Sequence, residues 1–353
     1  MALEFDHTTL GQRVLFGRGS AAEQTTTALE GLGAQRVLLI ADVFAMELAD
    51  AISERVNVVE RIHDIVQHVP AERADAATAL AEQCGADAIV TIGGGSSTGL
   101  AKIVALRTSL PIVAVPTTFA GSEATNVWGL TTAQRKETGA DERVLPKVIV
   151  YDVTLSTGLP VGLAMSSGLN ALAHAVDGFW APRADPINAA MGAEGVRALV
   201  PGLRGLAANP DDLDARERTL FGAYLAAVAF ASAGSGMHHK ICHVLGGAYN
   251  LPHAEMHSVV LPYVAGFNMP AAPDAEARVS DALGGGPAAA GLWRLREELG
   301  APPSLAAVGL REQDIPEAAA LCLGAIPPSN PRSVTLPELE ALLRAAWAGE
   351  PVA

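Results

Sequence analysis

The chain lacks paired thiols. Its three cysteines, Cys84, Cys242 and Cys322, are odd in number and scattered, with no Cys-x-x-Cys pair. That argues against a disulfide framework and against a thiolate zinc site. Basic blocks are also missing. No run of Lys or Arg exceeds the pair Arg135 and Lys136, and 24 basic residues face 38 acidic ones for a formal charge of −14. No surface is laid out to track phosphates, so nucleic acid is not an expected partner. The longest apolar stretch, 225–231, is too short to cross a bilayer. The opening Met-Ala-Leu-Glu-Phe-Asp-His has neither the basic region nor the apolar run of a secretory signal. The expectation is a cytoplasmic protein with no membrane partner. Internal repeats, a Walker loop and a G-x-G-x-x-G fingerprint are absent as well.

What is present is 353 residues, half of them apolar, enough for a large core and for two domains. Up to about residue 155, short β-branched runs at Val37–Ala41, 88–92, 112–115 and 148–151 alternate with helix-like stretches such as 71–84. Buried parallel strands read this way, and the alternation predicts an α/β doubly wound domain over 1–155. After the turn-like Ser156-Thr157-Gly158-Leu159-Pro160, Ala, Leu and Gly dominate in helix-length segments punctuated by Pro and Gly. Residues 156–353 are therefore expected to be helical, with 284–291 a loop.

The strand at 88–92 runs directly into Gly93-Gly94-Gly95-Ser96-Ser97 and then into helix-compatible residues. Glycines let a backbone approach an anion, and free N–H groups at a helix start favour negative charge, so this loop suits a phosphate. Asp42 ends the strand Val37–Ala41, where a carboxylate either accepts from a ribose diol and repels a 2′-phosphate, or caps a helix. Thr117 and Thr118 place two hydroxyls past the next strand, and Gly121-Ser122-Glu123 forms a further turn. Nucleotide sites lie at such strand ends.

A second constellation is the run Met237-His238-His239-Lys240-Ile241-Cys242-His243. His239 and His243, four apart, share one helix face. His253 follows ten residues after His243, just past Pro252, on what reads as a loop. Asn170 and His174 repeat the four-residue spacing on a helix expected over 167–179. Imidazoles so placed suit a divalent metal, a proton relay or carboxylate recognition, and spacing alone leaves the three open.

In content and order these residues carry a family. Gly93-Gly94-Gly95-Ser96 with Ala101-Lys102, Pro116-Thr117-Thr118 with Gly121-Ser122-Glu123, Ala171-Leu172-Ala173-His174-Ala175, and His239-x3-His243-x9-His253 resemble the iron-containing alcohol dehydrogenases over most of the chain. The resemblance implies an N-terminal Rossmann-like domain and a C-terminal all-helical domain, the dehydroquinate synthase-like plan. It also implies NADH or NADPH as cofactor, a substrate in the cleft between the domains, and a homodimer. In metal-using members the ligands are an Asp and three His, which map to Asn170, His174, His239 and His253, so the carboxylate is missing here. Gly99 is a second departure, standing where many members have Asp. Both departures are similar to the maleylacetate reductase branch, generally regarded as metal-independent. No metal is therefore expected.

Exchanging an anionic ligand for a neutral amide removes a full charge from a divalent ion's surroundings. Reducing a ketone builds a localised alkoxide that a Lewis acid stabilises, whereas reducing a conjugated alkene spreads charge over an enolate that hydrogen-bond donors serve. The resemblance thus implies NAD(P)H-dependent reduction of a small dicarboxylate enone, with a metal-dependent alcohol or aldehyde oxidoreductase as the alternative. On that reading His243 donates the proton or stabilises the enolate, while His174, His239, His253 and Asn170 bind substrate oxygens. Arg135, Lys136 and Lys240 are candidates for the second carboxylate. Asp42, Gly93, Gly94, Gly95, Ser96, Ser97, Thr117 and Thr118 are assigned to the dinucleotide.

Overall fold

The computed structural model describes residues 4–66, 69–132 and 136–352. The chain divides into two compact units, Leu10–Leu159 and a second one that joins the segment ending at Thr9 to everything from Pro160 onward. The division thus falls at 159/160 rather than 155/156. The reason the first residues leave the sheet unit is visible in one bond: His7 Nδ1 lies 2.8 Å from Asp185 Oδ2, a carboxylate of the helical unit.

The unit Leu10–Leu159 is built on a parallel sheet. Its strands are β1 (Arg13–Gly17), β2 (Val37–Ala41), β3 (Val58–Ile62), β4 (Ala88–Gly93), β5 (Ile112–Pro116) and, after a two-stranded antiparallel hairpin of β6 (Val127–Thr131) and β7 (Lys136–Ala140), β8 (Val148–Asp152). The order across the sheet is β1-β8-β5-β4-β2-β3. Every residue of β2, β4, β5 and β8 is buried, which is why these four segments are continuous apolar runs. Alternate residues feed two cores. Leu39, Val90 and Val113 pack with Leu29 of helix α1 (Ala21–Leu32) and Ile52 of α2 (Met46–Ser53). Leu38, Ile89 and Ala114 pack with Ala77 of α3 (Ala71–Gln83) and Ile103 of α4 (Gly95–Thr108).

The helical unit carries α5 (Val161–Gly178), α6 (Pro186–Ala208), α7 (Leu213–Ala233), α8 (Met237–Tyr249), α9 (His253–Asn268), α10 (Pro273–Leu283), α11 (Ala288–Glu298), α12 (Ile315–Ala325) and α13 (Leu336–Ala348). Helix α6 begins at a capping box made by Asp185 and Asn188, with Pro186 at its first position. Where α6 meets α7 the contact is backbone to backbone. A Cβ added to Gly222 would stand 2.9 Å from the Gly195 carbonyl oxygen, so only glycine permits that approach. Among the described residues no single helix is long and apolar enough to cross a membrane.

Candidate active site

In the sheet unit, β4 ends in a turn that glycine alone accommodates. Gly93 has φ +150°, and a Cβ there would lie 2.3 Å from Ser97 Oγ and 3.3 Å from the Asp42 Cβ. A Cβ on Gly94 would meet Thr118 Cγ2 at 3.0 Å. Helix α4 then starts with Gly94 as N-cap, no side-chain cap and no acidic residue in its first turn. The Ser97 hydroxyl is fully buried and has no hydrogen-bond partner. An uncapped helix N-terminus, a glycine cradle and an orphaned buried hydroxyl fit the pyrophosphate of a dinucleotide.

The neighbouring strands bring the other assigned residues to the same edge. Asp42 N donates to Ile92 O at 2.9 Å, and Thr117 N donates to Gly93 O at 3.0 Å. Asp42, Gly93, Gly94, Gly95, Ser96, Ser97, Thr117 and Thr118 therefore lie together. Asp42 also caps the short turn Val43–Ala45 by accepting from Phe44 N, so the capping role is realised at this edge.

The histidine constellation is built in the helical unit. Asn170, His174 and Asp177 follow one another at helical spacing along α5, and all three are buried. Helix α8 supplies His238, His239 and His243, and α9 supplies His253 and His257. His253 is not on a loop: Pro252 is the N-cap and His253 opens the helix. The His174 and His239 rings stack with centroids 5.0 Å apart, and Phe230 of α7 packs against both, at 4.9 and 4.2 Å. His243 lies 6.1 Å from His239 by ring centroids, and His253 lies 4.3 Å from His257. His243 and His253 are exposed, while His174 and His239 are buried.

Five buried polar atoms at this place have no partner: Asn170 Oδ1, His174 Nδ1, His238 Nδ1, His239 Nε2 and His257 Nε2. Each costs about 1–3 kcal/mol if left without a bond, so a site that gathers them is built for a ligand with hydrogen-bonding atoms. Burial pushes His174 down to about 4, against the pull of Asp177. Burial and the surrounding His174, His243, His253 and Lys240 hold His239 well below the ordinary imidazole range. Both rings are neutral at physiological pH.

Comparison with known proteins gives this arrangement a lineage. Residues 11–153 match the iron-containing alcohol dehydrogenase family, and residues 164–347 match its C-terminal part. A maleylacetate reductase from Delftia acidovorans is 42% identical over 99% of both chains. The chain belongs to the iron-containing alcohol dehydrogenase family. Among solved structures, an iron-containing alcohol dehydrogenase from Corynebacterium glutamicum superposes with a TM-score of 0.96 at 49% identity, covering 99% of this chain and 98% of that one. A maleylacetate reductase from Agrobacterium tumefaciens does so with a TM-score of 0.93 at 37% identity, covering 99% and 100%.

Membership raises the question of the metal. Of the four positions that the resemblance assigns to metal ligands, the one for which it implies a carboxylate is Asn170, an amide. Among the described residues, the histidine group whose ligand atoms all come within 4.8 Å of one another is His238, His239 and His257, not the family's set. Two of these are bonded to each other, His238 Nε2 to His257 Nδ1 at 2.9 Å, and His239 Nδ1 is held by Asp177. An amide in place of a carboxylate removes a full negative charge from the set and weakens its hold on a divalent ion, and no step below is routed through one.

Two buried residues escaped the sequence reading. His257 stands four residues after His253, the same spacing that singled out His239 and His243. Asp177 stands three residues after His174, and its carboxylate organises the site. It accepts from Gly236 N at 2.9 Å, His238 N at 3.1 Å, His239 N at 3.3 Å, His239 Nδ1 at 2.8 Å and Trp180 Nε1 at 2.9 Å. An anion at the start of α8 suits the helix dipole. Because Nδ1 carries the proton given to Asp177, His239 presents the bare Nε2 to the site. A Cβ on Gly236 would lie 2.5 Å from Asp177 Oδ1, so glycine is required for that approach.

Of the cationic candidates, Lys240 is half-buried on α8, between His239 and His243 in sequence. Arg135 lies outside the described residues, as does the Lys136 side chain. Lys102, part of the glycine-loop motif, is fully buried and donates to Thr125 O, Thr125 Oγ1 and Val127 O at 2.7–2.9 Å. Burial lowers it to about 7, with the Glu123 carboxylate pulling the other way. Burial raises Glu123 in turn, against a hydrogen bond from the Tyr151 hydroxyl at 2.7 Å. This lysine braces α4 to the segment after β5.

Proposed function

We propose that the chain catalyses the reduction of the conjugated double bond of maleylacetate to 3-oxoadipate by NADH or NADPH, a reductive step in aromatic-compound catabolism. The observation that carries this reading is the amide of Asn170, at the position where the family resemblance implies a carboxylate ligand, set among buried neutral imidazoles whose polar atoms lack partners. The names of relatives spanning almost the whole chain agree with it. The nicotinamide, when bound, supplies a hydride to the alkene carbon β to the ketone.

The protein's own residues do the rest. As the β carbon gains the hydride, the π electrons move toward the ketone oxygen and charge spreads over an enolate. Asn170, which offers an amide N–H when rotated, and His174, through a ring N–H, hold that oxygen in surroundings with few waters to compete, where hydrogen bonds count for more. The enolate then takes a proton at the α carbon, restoring the ketone. His243, exposed and one helical turn from His239, is the proton donor because it can be recharged from solvent. Exposed His253 at the start of α9 is a second contact for substrate oxygens. Lys240 is assigned to the second carboxylate of the substrate. Asp42, beside Gly93, favours NADH by repelling a 2′-phosphate.

The reading includes a cytoplasmic homodimer. The outer strand β1, with Phe16 37% exposed, leaves a sheet edge open for pairing. The test of the catalytic assignment is His243→Ala. It should lower turnover by about 10²–10⁴-fold while NADH affinity stays within about twofold. Near-normal turnover would remove His243 from the proton-donor role.

A further inference from the structure

Phe44 is 96% exposed, more than any other large apolar side chain among the described residues. It contributes next to nothing to the core, unlike Phe119 at 0%. A lone exposed aromatic ordinarily needs no explanation. This one stands at the dinucleotide edge, two residues past Asp42, in a turn whose backbone is fixed at both sides. The Asp42 carboxylate accepts from Phe44 N, and Ala45 is buried.

We propose that Phe44 is the stacking platform for the adenine base, an inference that rests on the nicotinamide reading above. The recognition elements follow the order of the ligand's own parts. The glycine turn at the end of β4 offers N–H groups and an uncapped helix start to the pyrophosphate. On the adjacent strand β2, Ala41 pairs with Ile92, and Asp42 sits against Gly93, so its carboxylate is placed for the adjoining ribose. Two residues reach at most about 7 Å, which puts Phe44 within range of a base attached to that ribose. An adenine offers two flat faces, and an aromatic ring in water stacks on one of them without needing directed hydrogen bonds. The turn's backbone is restrained by the Phe44 N–H bond to Asp42, so binding has chiefly the exposed side chain left to order.

The experiment is titration calorimetry of the full chain and of Phe44→Ala and Phe44→Trp with ADP-ribose, AMP and reduced nicotinamide mononucleotide. Exposure makes both variants tolerable to the fold. Phe44→Ala should weaken ADP-ribose and AMP by about tenfold, while reduced nicotinamide mononucleotide changes less than about twofold. Phe44→Trp should keep ADP-ribose affinity within about twofold, and its added indole emission should be quenched by AMP. Unchanged ADP-ribose affinity in Phe44→Ala, or equal weakening of the mononucleotide that has no adenine, overturns the platform. If the unmodified chain binds neither NADH nor ADP-ribose, the dinucleotide reading itself falls, and the platform with it.

Discussion

Asp177→Asn removes one oxygen from the carboxylate that organises the histidine site, and its cost follows from counting donors. Oδ1 accepts from Trp180 Nε1 and His238 N, and Oδ2 accepts from Gly236 N, His239 N and His239 Nδ1. The amide oxygen of Asn can replace only one of them, and it serves best at the Oδ2 position. The NH₂ group then faces two N–H donors at the Oδ1 position, both buried and both left unpaired. At about 1–3 kcal/mol for each orphaned donor, the loss is about 4 kcal/mol. A unit of this size converts that into a fall of about 8–16 °C in its melting midpoint. Gly236→Ala should produce a similar loss from the other side, since its Cβ lands 2.5 Å from the same oxygen. Differential scanning calorimetry with bound and free protein is the assay, and turnover is read at a temperature where both variants remain folded. A melting midpoint within about 2 °C of the parent would refute the count. Unchanged turnover in folded Asp177→Asn would refute the view that Asp177 sets the tautomer of a working His239.

Acid should destabilise the protein through its buried neutral histidines. The folded-state pKa of His174, about 4, lies below its ordinary 6.5, so the unfolded chain takes up the proton first. The contribution is fully present above about 6.5 and is lost as pH falls toward 4, about 3 kcal/mol in total and about 2 kcal/mol by pH 5. Denaturant unfolding at pH 7.5 and 5 should therefore show a stability drop that shrinks by about 2 kcal/mol in His174→Gln, and an equal drop in both proteins contradicts the assignment. Lys102→Met leaves the Thr125 and Val127 carbonyl oxygens without their buried donor and should cost about 3–5 kcal/mol. A loss below about 1 kcal/mol would show that the brace is dispensable.

The central strands were legible because burial on both faces leaves no room for polar residues. The run Val37–Ala41 coincides with β2, and the other three runs each gain one residue at the C-terminal end. Strands β1 and β3 were not legible. They are the outer strands of the sheet, half-buried or exposed, and carry Arg13, Glu60 and Arg61, which break the apolar run. The glycine loop was readable since backbone chemistry forces glycine there, and its three strand ends do meet. On the helical side, spacing of four identifies the faces of α5 and α8, but the same spacing in His253 and His257 is hidden because the segment just past Pro252 reads as a loop, whereas Pro252 is the N-cap of α9. Asp177 was invisible for a different reason. Its partners Gly236, His238 and His239 lie about sixty residues downstream, and no local pattern announces such a bond. The burial of Lys102 within α4 is equally a tertiary fact.

The measurement that bears most directly on the account is the loss of NADH absorbance when freshly generated maleylacetate is added to chelator-treated protein, with and without restored iron or zinc. A site that works through Asn170, His174, His239 and His243 should oxidise NADH at the same rate in both samples. Oxidation that starts only after metal is restored, or turnover confined to alcohols and aldehydes, would contradict it.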